Sequence, residues 1–342
     1  MASTEQTIRI GELAAYTGEP AVFVLHDNPE WLPPIREAFA AEGVPLVSVL
    51  LDEGAIDLGA TPPEGVYWSR LSASSHTRDL PQAKETARAL LRWIESHGRP
   101  VVNGSRVLEL EVSKVAQYAA LQAAGFDVPR TFAVSGRASL LDAASRLPLP
   151  FITKHNQGGK GLGVQRFDSL DEFTAHVQTS QFEAPVDGIE LLQEYVPSSE
   201  PFITRAEFVG GEFVYAVRVD TSAGSFELCP AEACVLPAPG EAPTAQFAAA
   251  TCEIGAPGMF TVRNEITADD PLIRKLAEFL REEGIEIAGV EFIETADGRR
   301  VVYDINTNTN YNPDVEAVSS VSAARQVARE LGARLQPAGV TR

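Results

Sequence analysis

Two carboxylates that a short turn would bring face to face are the first residues in this chain to suggest chemistry. In the segment from Glu291 to Asn306, Asp297-Gly298 is a strong two-residue turn signal between alternating strands. A turn there pairs Ala296 with Arg299, puts Ile293 opposite Val302 and Glu291 opposite Asp304, and leaves Asn306 on the same face. Like charges directly across a ladder repel, so a pair flanked by apolar Val290, Phe292 and Ile305 needs a cation or a proton. Carboxylate and amide oxygens suit a hard, partly hydrated ion such as Mg2+. The alternative is a polar edge facing water, with the register one residue off.

Other segments carry groups suited to phosphate. Phe151 to His155 reads as a strand containing Lys154, and it runs into a loop holding Gln157, Gly158, Gly159, Lys160, Gly161 and Gly163. Bare backbone amides and an ammonium can cradle phosphates, although the spacing is neither a Walker A loop nor G-x-G-x-x-G. A mobile surface turn would look similar. A Gly210-Gly211 turn pairs Val209 with Glu212 and Arg205 with Ala216, which places Arg205 and Arg218 on one face with Glu207, Glu212 and Asp220. Two converging guanidiniums could hold a phosphate or carboxylate, or could simply pair with those acids. Lysine is scarce: Lys84, Lys114, Lys154, Lys160 and Lys275 stand among 28 basic residues, so where one is kept a compact point charge has a use.

The elements that must position these groups follow from periodicity. Strand-like and helical runs alternate at Ala21 to Leu25, Trp31 to Glu42, Pro45 to Leu51, Val66 to Ser69, Gln82 to Ser96 and Pro100 to Asn103, which predicts a small parallel α/β sheet. The polar loops His26 to Asn28 and Ser69 to Arg78 would then lie over a ligand beyond the strand ends. A helix is expected from Leu108 to Ala124. An α+β lobe follows from Arg130, with helices at Ala138 to Leu147 and near Leu170 to Val177. Hairpins at Phe202 to Asp220 and Ala288 to Asn306, a helix at Pro271 to Glu283 and a closing helix at Asp314 to Leu331 complete the chain. The boundaries are 1–107, 108–192 and 193–342, with disorder expected only in the first dozen or so residues and the last few.

Composition removes several classes. With 47 acidic against 28 basic residues and a net charge of −19, the chain should repel nucleic acid and anionic membranes. It has no apolar run long enough to span a bilayer and no signal-peptide pattern, so a cytoplasmic location is expected. Cys229, Cys234 and Cys252 form neither a zinc pattern nor an even disulfide framework, and no nucleophile motif accompanies the five histidines.

Taken in chain order, these pieces resemble the ATP-grasp superfamily, and most closely its RimK-type, glutamate ligase-like branch. The likeness rests on Lys114 in Glu111-Val112-Ser113-Lys114, strand lysine Lys154, the glycine loop, Leu191 to Val196, the two arginines and Glu291 with Asp304-Ile305-Asn306. It covers about residues 100 to 310. The resemblance implies that two α+β lobes enclose ATP, with Lys114, Lys154 and the loop on the phosphates. It implies a linker, Gln193, Glu194, Tyr195 and Val196, that reads adenine, with Glu200 on the ribose. Arg205, Arg218 and Lys154 would be catalytic, and Glu291, Asp304 and Asn306 would hold Mg2+, or Mn2+ in its place. The implied activity joins an acid, small or peptide, to an amine through an acyl phosphate, in a dimer or tetramer. After Asn306 the run Thr307-Asn308-Thr309-Asn310-Tyr311-Asn312 departs from the family's second asparagine and Pro-Gly, so no glutamate substrate is carried over. Two other functions stay open: an ATP-binding regulatory protein of the synapsin kind, and an ATP-grasp kinase acting on a hydroxyl.

Overall fold

Strand β2 (Ala21–His26) is buried along its whole length, as a central strand covered on both faces must be. It lies in a parallel sheet with β1 (Gln6–Arg9), β3 (Leu46–Leu50), β4 (Gly65–Arg70) and β5 (Val101–Val102), in the order β1-β3-β2-β4-β5. Helices α1 (Pro33–Ala41) and α2 (Ala83–Ser96) make the crossovers. The computed structural model describes residues 6–159, 161, 163–179, 182–222 and 259–335. Lys160 and the three cysteines lie outside them. Disorder had been expected through the first dozen residues, yet Gln6–Arg9 pairs with β3; only Ile8 of the four is buried, too faint an apolar signal to read as an edge strand.

The helix expected at Leu108 to Ala124 is two helices, α3 (Ser105–Glu111) and α4 (Lys114–Ala123). Ser113 sits between them in extended conformation, and its Oγ accepts the Ala116 N–H as an N-cap. Lys114 thereby opens a helix, with its own N–H on the carbonyl of Asn156. The next region is an antiparallel sheet ordered β6 (Thr131–Ser135), β9 (Ile189–Glu194), β7 (Phe151–His155) and β8 (Gln165–Phe167). It is backed by α5 (Leu140–Ala144) and α6 (Leu170–Gln178). The α5 helix is shorter than expected at both ends: Arg137–Ser139 winds as a 3-10 turn, and Arg146 and Leu147 bond back only three residues, to Ala143 and Ala144. Phe151, Phe167, Phe173 and Leu192 form this lobe's own small core.

The remaining strands make a second antiparallel sheet: β10 (Phe202–Val209), β11 (Glu212–Asp220), β12 (Phe260–Val262), β13 (Ile287–Glu294) and β14 (Arg300–Asn306), ordered β12-β11-β10-β13-β14. On one face lie α3, α4 and α7 (Pro271–Glu283). On the other, Ile203, Val217, Val219 and Ile287 share a continuous core with Val22, Val24 and Trp68 of the parallel sheet and with α1, α8 (Pro313–Val318) and α9 (Ala323–Ala333). The single helix expected over Asp314 to Leu331 breaks because Ser322 caps α9, its Oγ accepting from Arg325. Among the described residues no helix is long and apolar enough to cross a membrane.

Two registers differ from those the turns dictate. Glu291 does face Asp304, but Ile293 faces Val301 instead of Val302. The turn is one residue longer than read, because Gly298 takes a left-handed φ of 84° and Thr295 closes onto Arg299. A bulge between Glu291 and Phe292 on the pairing then restores the offset and leaves Tyr303 as the extra residue. On β10 and β11 a similar irregularity is not cancelled. It pairs Arg205 with Val217 instead of Ala216, and Thr204 with Arg218. Arg218 is therefore on the face opposite Arg205, and the two guanidiniums do not converge.

Asp270 ties α7 to β14: its Oδ1 accepts the N–H groups of Leu272 and Ile273, and its Oδ2 accepts Arg300 Nη1 at 2.8 Å. Asp270→Ala removes cap and pair together and should cost about 1–2 kcal/mol. A lowered urea midpoint for that variant, with an unchanged slope, is the expected measurement.

Candidate functional site

Between the two antiparallel sheets lies a cavity of about 270 Å³. Its walls include Lys114, Lys154, Gly158, Gly159, Gly161, Gln193–Val196, Arg205, Glu291, Asp304 and Asn306. The sequence had named all of these, and they come from β7, β9, β10, β13, β14 and the start of α4. Glu200 is exposed and outside the lining, and Arg218 lies over the Phe202 ring at 4.4 Å on the far side of the sheet. Neither is brought to the cavity. Gln157 is turned away too, its side chain bonded to Lys84. Gly163 supports the loop from beneath, since a Cβ there would meet the His155 ring at 2.6 Å.

Charge organises the floor. Arg205 is 2% exposed and donates from Nε to Glu207 at 2.7 Å, from Nη1 to Glu291 at 2.9 Å and from Nη2 to Thr309 Oγ1 at 2.6 Å. Thr309 Oγ1 donates to the other oxygen of Glu207 at 2.8 Å, and the Tyr303 hydroxyl donates to the second oxygen of Glu291 at 2.7 Å. Gly289 makes this possible, because a Cβ at that position would stand 2.7 Å from the guanidinium. Lys114 pairs with Asp304. Burial would push the Asp304 carboxyl up, but Lys114 and Lys154 together hold it below the usual range. Burial lowers the Lys154 pKa against the pull of Asp304 and Glu291. Its Nζ donates to the Tyr118 hydroxyl at 3.2 Å and sits 5.6 Å from the Tyr303 ring centroid.

Glu291, Asp304 and Asn306 fit a hard divalent ion by the chemistry of their donors, two carboxylates and an amide oxygen on one cross-strand patch. Among the described residues no group of three His, Cys, Asp or Glu side chains has metal-binding geometry, so such a site depends on the amide and on partners outside the protein. Apolar side chains complete the lining: Ile152 and Val196 near the Gln193–Val196 segment, and Ile293 and Ile305 on the strands that carry the carboxylates. Gln193 spends its amide internally on Tyr118 and Thr131, and the backbone of β9 is paired on both sides, with β6 and with β7.

The sequence had placed the polar loops after β2 and β4 over a ligand without giving their residues roles. Ser72 and Ser74 of the second loop complete the cavity wall, together with Trp31 from the 3-10 turn beyond the first. Asp27 holds that wall, accepting from the Ser72 N–H at 2.9 Å and pairing with Arg78, which stacks on Trp31 at 5.0 Å. Arg70 binds the Thr309 carbonyl and Asn310 Oδ1, both at 2.7 Å, joining the parallel sheet to the loop after β14, and burial pulls its pKa down to about 10. Glu111 accepts from the N–H and Oγ1 of Thr307 at 2.8 and 2.7 Å; burial pushes it up to about 7. The only advance signal for it was its place three residues before Lys114.

Glu190, beneath Lys154, is also pushed up by burial, to about 8. Its Oε1 accepts the Lys154 N–H at 3.1 Å. A folded pKa above the unfolded 4.5 means the folded form keeps its proton longer, so this stabilisation is complete at low pH and disappears as the pH rises to about 8. Glu190→Gln keeps the acceptor without the ionisation. Its denaturant midpoint should fall less than the wild type's between about pH 5 and 8.

No family model matches the sequence. Among curated proteins, β-citrylglutamate synthase B of Danio rerio is 23% identical over 225 residues, which are 65% of this chain and 48% of that one. The chain thus spans about half the length of the curated relative it matches. Among solved structures, the ATP-grasp ligase PsnB with its minimal precursor superposes with a TM-score of 0.61 at 16% identity, over 93% of this chain and all of that one. A RimK domain ATP-grasp protein of Sphaerobacter thermophilus gives 0.60 at 19% identity, over 91% and 99%. PsnB has also been solved with precursor, Mg and ADP together. The fold is that of the ATP-grasp ligases.

Proposed function

Starting from the ATP-grasp fold, we propose that this chain is an ATP-dependent carboxylate-amine ligase that activates its acid as an acyl phosphate. One observation carries the reading: phosphate-suited cations, paired carboxylates, a glycine segment and a group of apolar side chains all line one cavity. Lys114, Lys154 and the amides of Gly158, Gly159 and Gly161 bind the triphosphate, and Gln193–Val196 borders the base. Glu291, Asp304 and Asn306 hold Mg2+, which when bound neutralises charge on the transferred phosphoryl group.

Carboxylates are poor electrophiles. Transfer of the γ-phosphoryl group to the acid oxygen supplies a leaving group, after which the amine attacks the acyl carbon and inorganic phosphate departs. Arg205 faces this exchange as a fixed cation, already oriented by Glu207 and Thr309, so little reorganisation accompanies the charge movement. Proximity and electrostatics thus account for the rate without a protein nucleophile. The wall made by Trp31, Ser72 and Ser74 bounds the compartment for the acid or the incoming amine, a small molecule or a peptide. PsnB, which has been solved with a precursor peptide, makes a peptide the first class to try.

The test incubates the protein with Mg2+ and ATP and pooled acids, amino acids and peptides, follows phosphate release, and weighs new products. A product lighter by one water than its parts is expected. A phosphorylated product would favour a kinase, and nucleotide binding without turnover a regulatory protein. Asp304→Asn should lower Mg2+-dependent turnover about a hundredfold or more while circular dichroism shows the fold kept, at a reduced melting temperature because Lys114 loses its counter-charge. Unchanged turnover would remove Asp304 from the site.

A further inference from the structure

Lys84 stands outside the cavity lining, yet it is one of the five lysines and only 5% exposed. It projects from α2, the helix that follows the Ser69 to Arg78 loop. Its ammonium donates to Gln157 Oε1, at the start of the glycine segment, and at 3.5 Å to the Ala73 carbonyl. Both acceptors are neutral. Burial lowers the Lys84 pKa, while Asp187, Glu85 and Asp27 act on it only through space, and Arg88 opposes them. A desolvated ammonium without a bonded carboxylate is a poor stabilising device, so its value has to lie in what it holds. The segment it holds also rests on the same loop: a Cβ on Gly159 would lie 3.3 Å from Ser74 Oγ. Gly159 and Ser74 both line the cavity, so contact between them closes the gap between the phosphate side and the N-terminal wall.

We propose that Lys84 is a positioning residue that fastens Gln157–Gly159 to the parallel-sheet domain, so that water is shut out of the phosphate and acceptor compartments together. This rests on the ligase reading. In the uncoupled turnover it prevents, water takes the place of the amine. The water oxygen bonds to the acyl carbon, the bond from that carbon to the phosphate oxygen breaks, inorganic phosphate leaves, and the acid returns with the surplus proton passed to solvent. Losing the tie should therefore affect coupling more than nucleotide affinity.

Two variants test it in the full-length protein. Lys84→Met removes the donor, and Gln157→Leu removes the acceptor while leaving α2 intact; Lys84→Arg keeps the charge and should partly restore the wild-type behaviour. Hydrogen exchange of peptides containing Gln157–Gly159, with and without Mg2+ and a non-hydrolysable ATP analogue, should rise roughly tenfold in Lys84→Met and Gln157→Leu. Peptides from β2, β4 and α2 should exchange as before. Phosphate released per coupled product should rise in the same two variants. Unchanged exchange at Gln157–Gly159, or a rise spread equally through α2 and the parallel sheet, would overturn the proposal. Should the protein join no acid to an amine, the exchange measurement still decides the fastening, and the ligase reading fails separately.

Discussion

A buried guanidinium clamped between two carboxylates is the constraint from which the rest of the site follows. Arg205 binds Glu207 and Glu291 at once, and Thr309 closes the ring. Removing a buried cation from such a group leaves unpaired charge in a medium that screens it poorly, so strands and loops must deliver all partners together. Each delivery has a local cause. Gly289 leaves room on β13, the β13-β14 irregularity aims Tyr303 at Glu291, and Arg70 holds the Thr309 loop from behind. Lys114 and Lys154 repeat the principle around Asp304 with fewer bonds. A polyanion and a metal entering this cavity would find charges already in position, exchanging partners without assembling them.

Much of this was legible before any coordinates. The Asp297-Gly298 turn pointed to Glu291 against Asp304, and lysine scarcity pointed to Lys84, Lys114 and Lys154, each 8% exposed or less. Lys275 shows the limit of that signal, for it caps the end of α4 through the Gly125 carbonyl and covers Phe126. Turn arithmetic failed where a strand gained a residue. On β13 and β14 a longer turn and a bulge cancelled, so the right pair came from a wrong register; on β10 and β11 nothing cancelled, and Arg218 went to the other face. Bulges depend on what the neighbouring strand and loop require, and β11 is apolar enough on both faces to hide the shift. The helix breaks at Ser113 and Ser322 were written in the sequence as caps but masked by apolar periodicity running across them. The N-terminal wall was legible only as polar loops after strands, because contacts such as Arg70 with Asn310 span 240 positions.

The distribution of apolar cores has a consequence for how such a chain can be rebuilt. Val22, Val24 and Trp68 share one core with Ile203, Val217 and α9, so the parallel sheet and the β10–β14 sheet are welded into a single body. The β6–β9 lobe instead keeps a private core around Phe151, Phe167 and Phe173, and its apolar contacts with the body run through Ile189 and Leu191, beside hydrogen bonds that Lys154, Asn156 and Gln193 make with α4. The natural unit of exchange between relatives is therefore the lobe, which can be swapped across a narrow seam. A chimera cut after the parallel sheet would strip two oily faces of their cover, and so acceptor preference has to be altered residue by residue within an intact body.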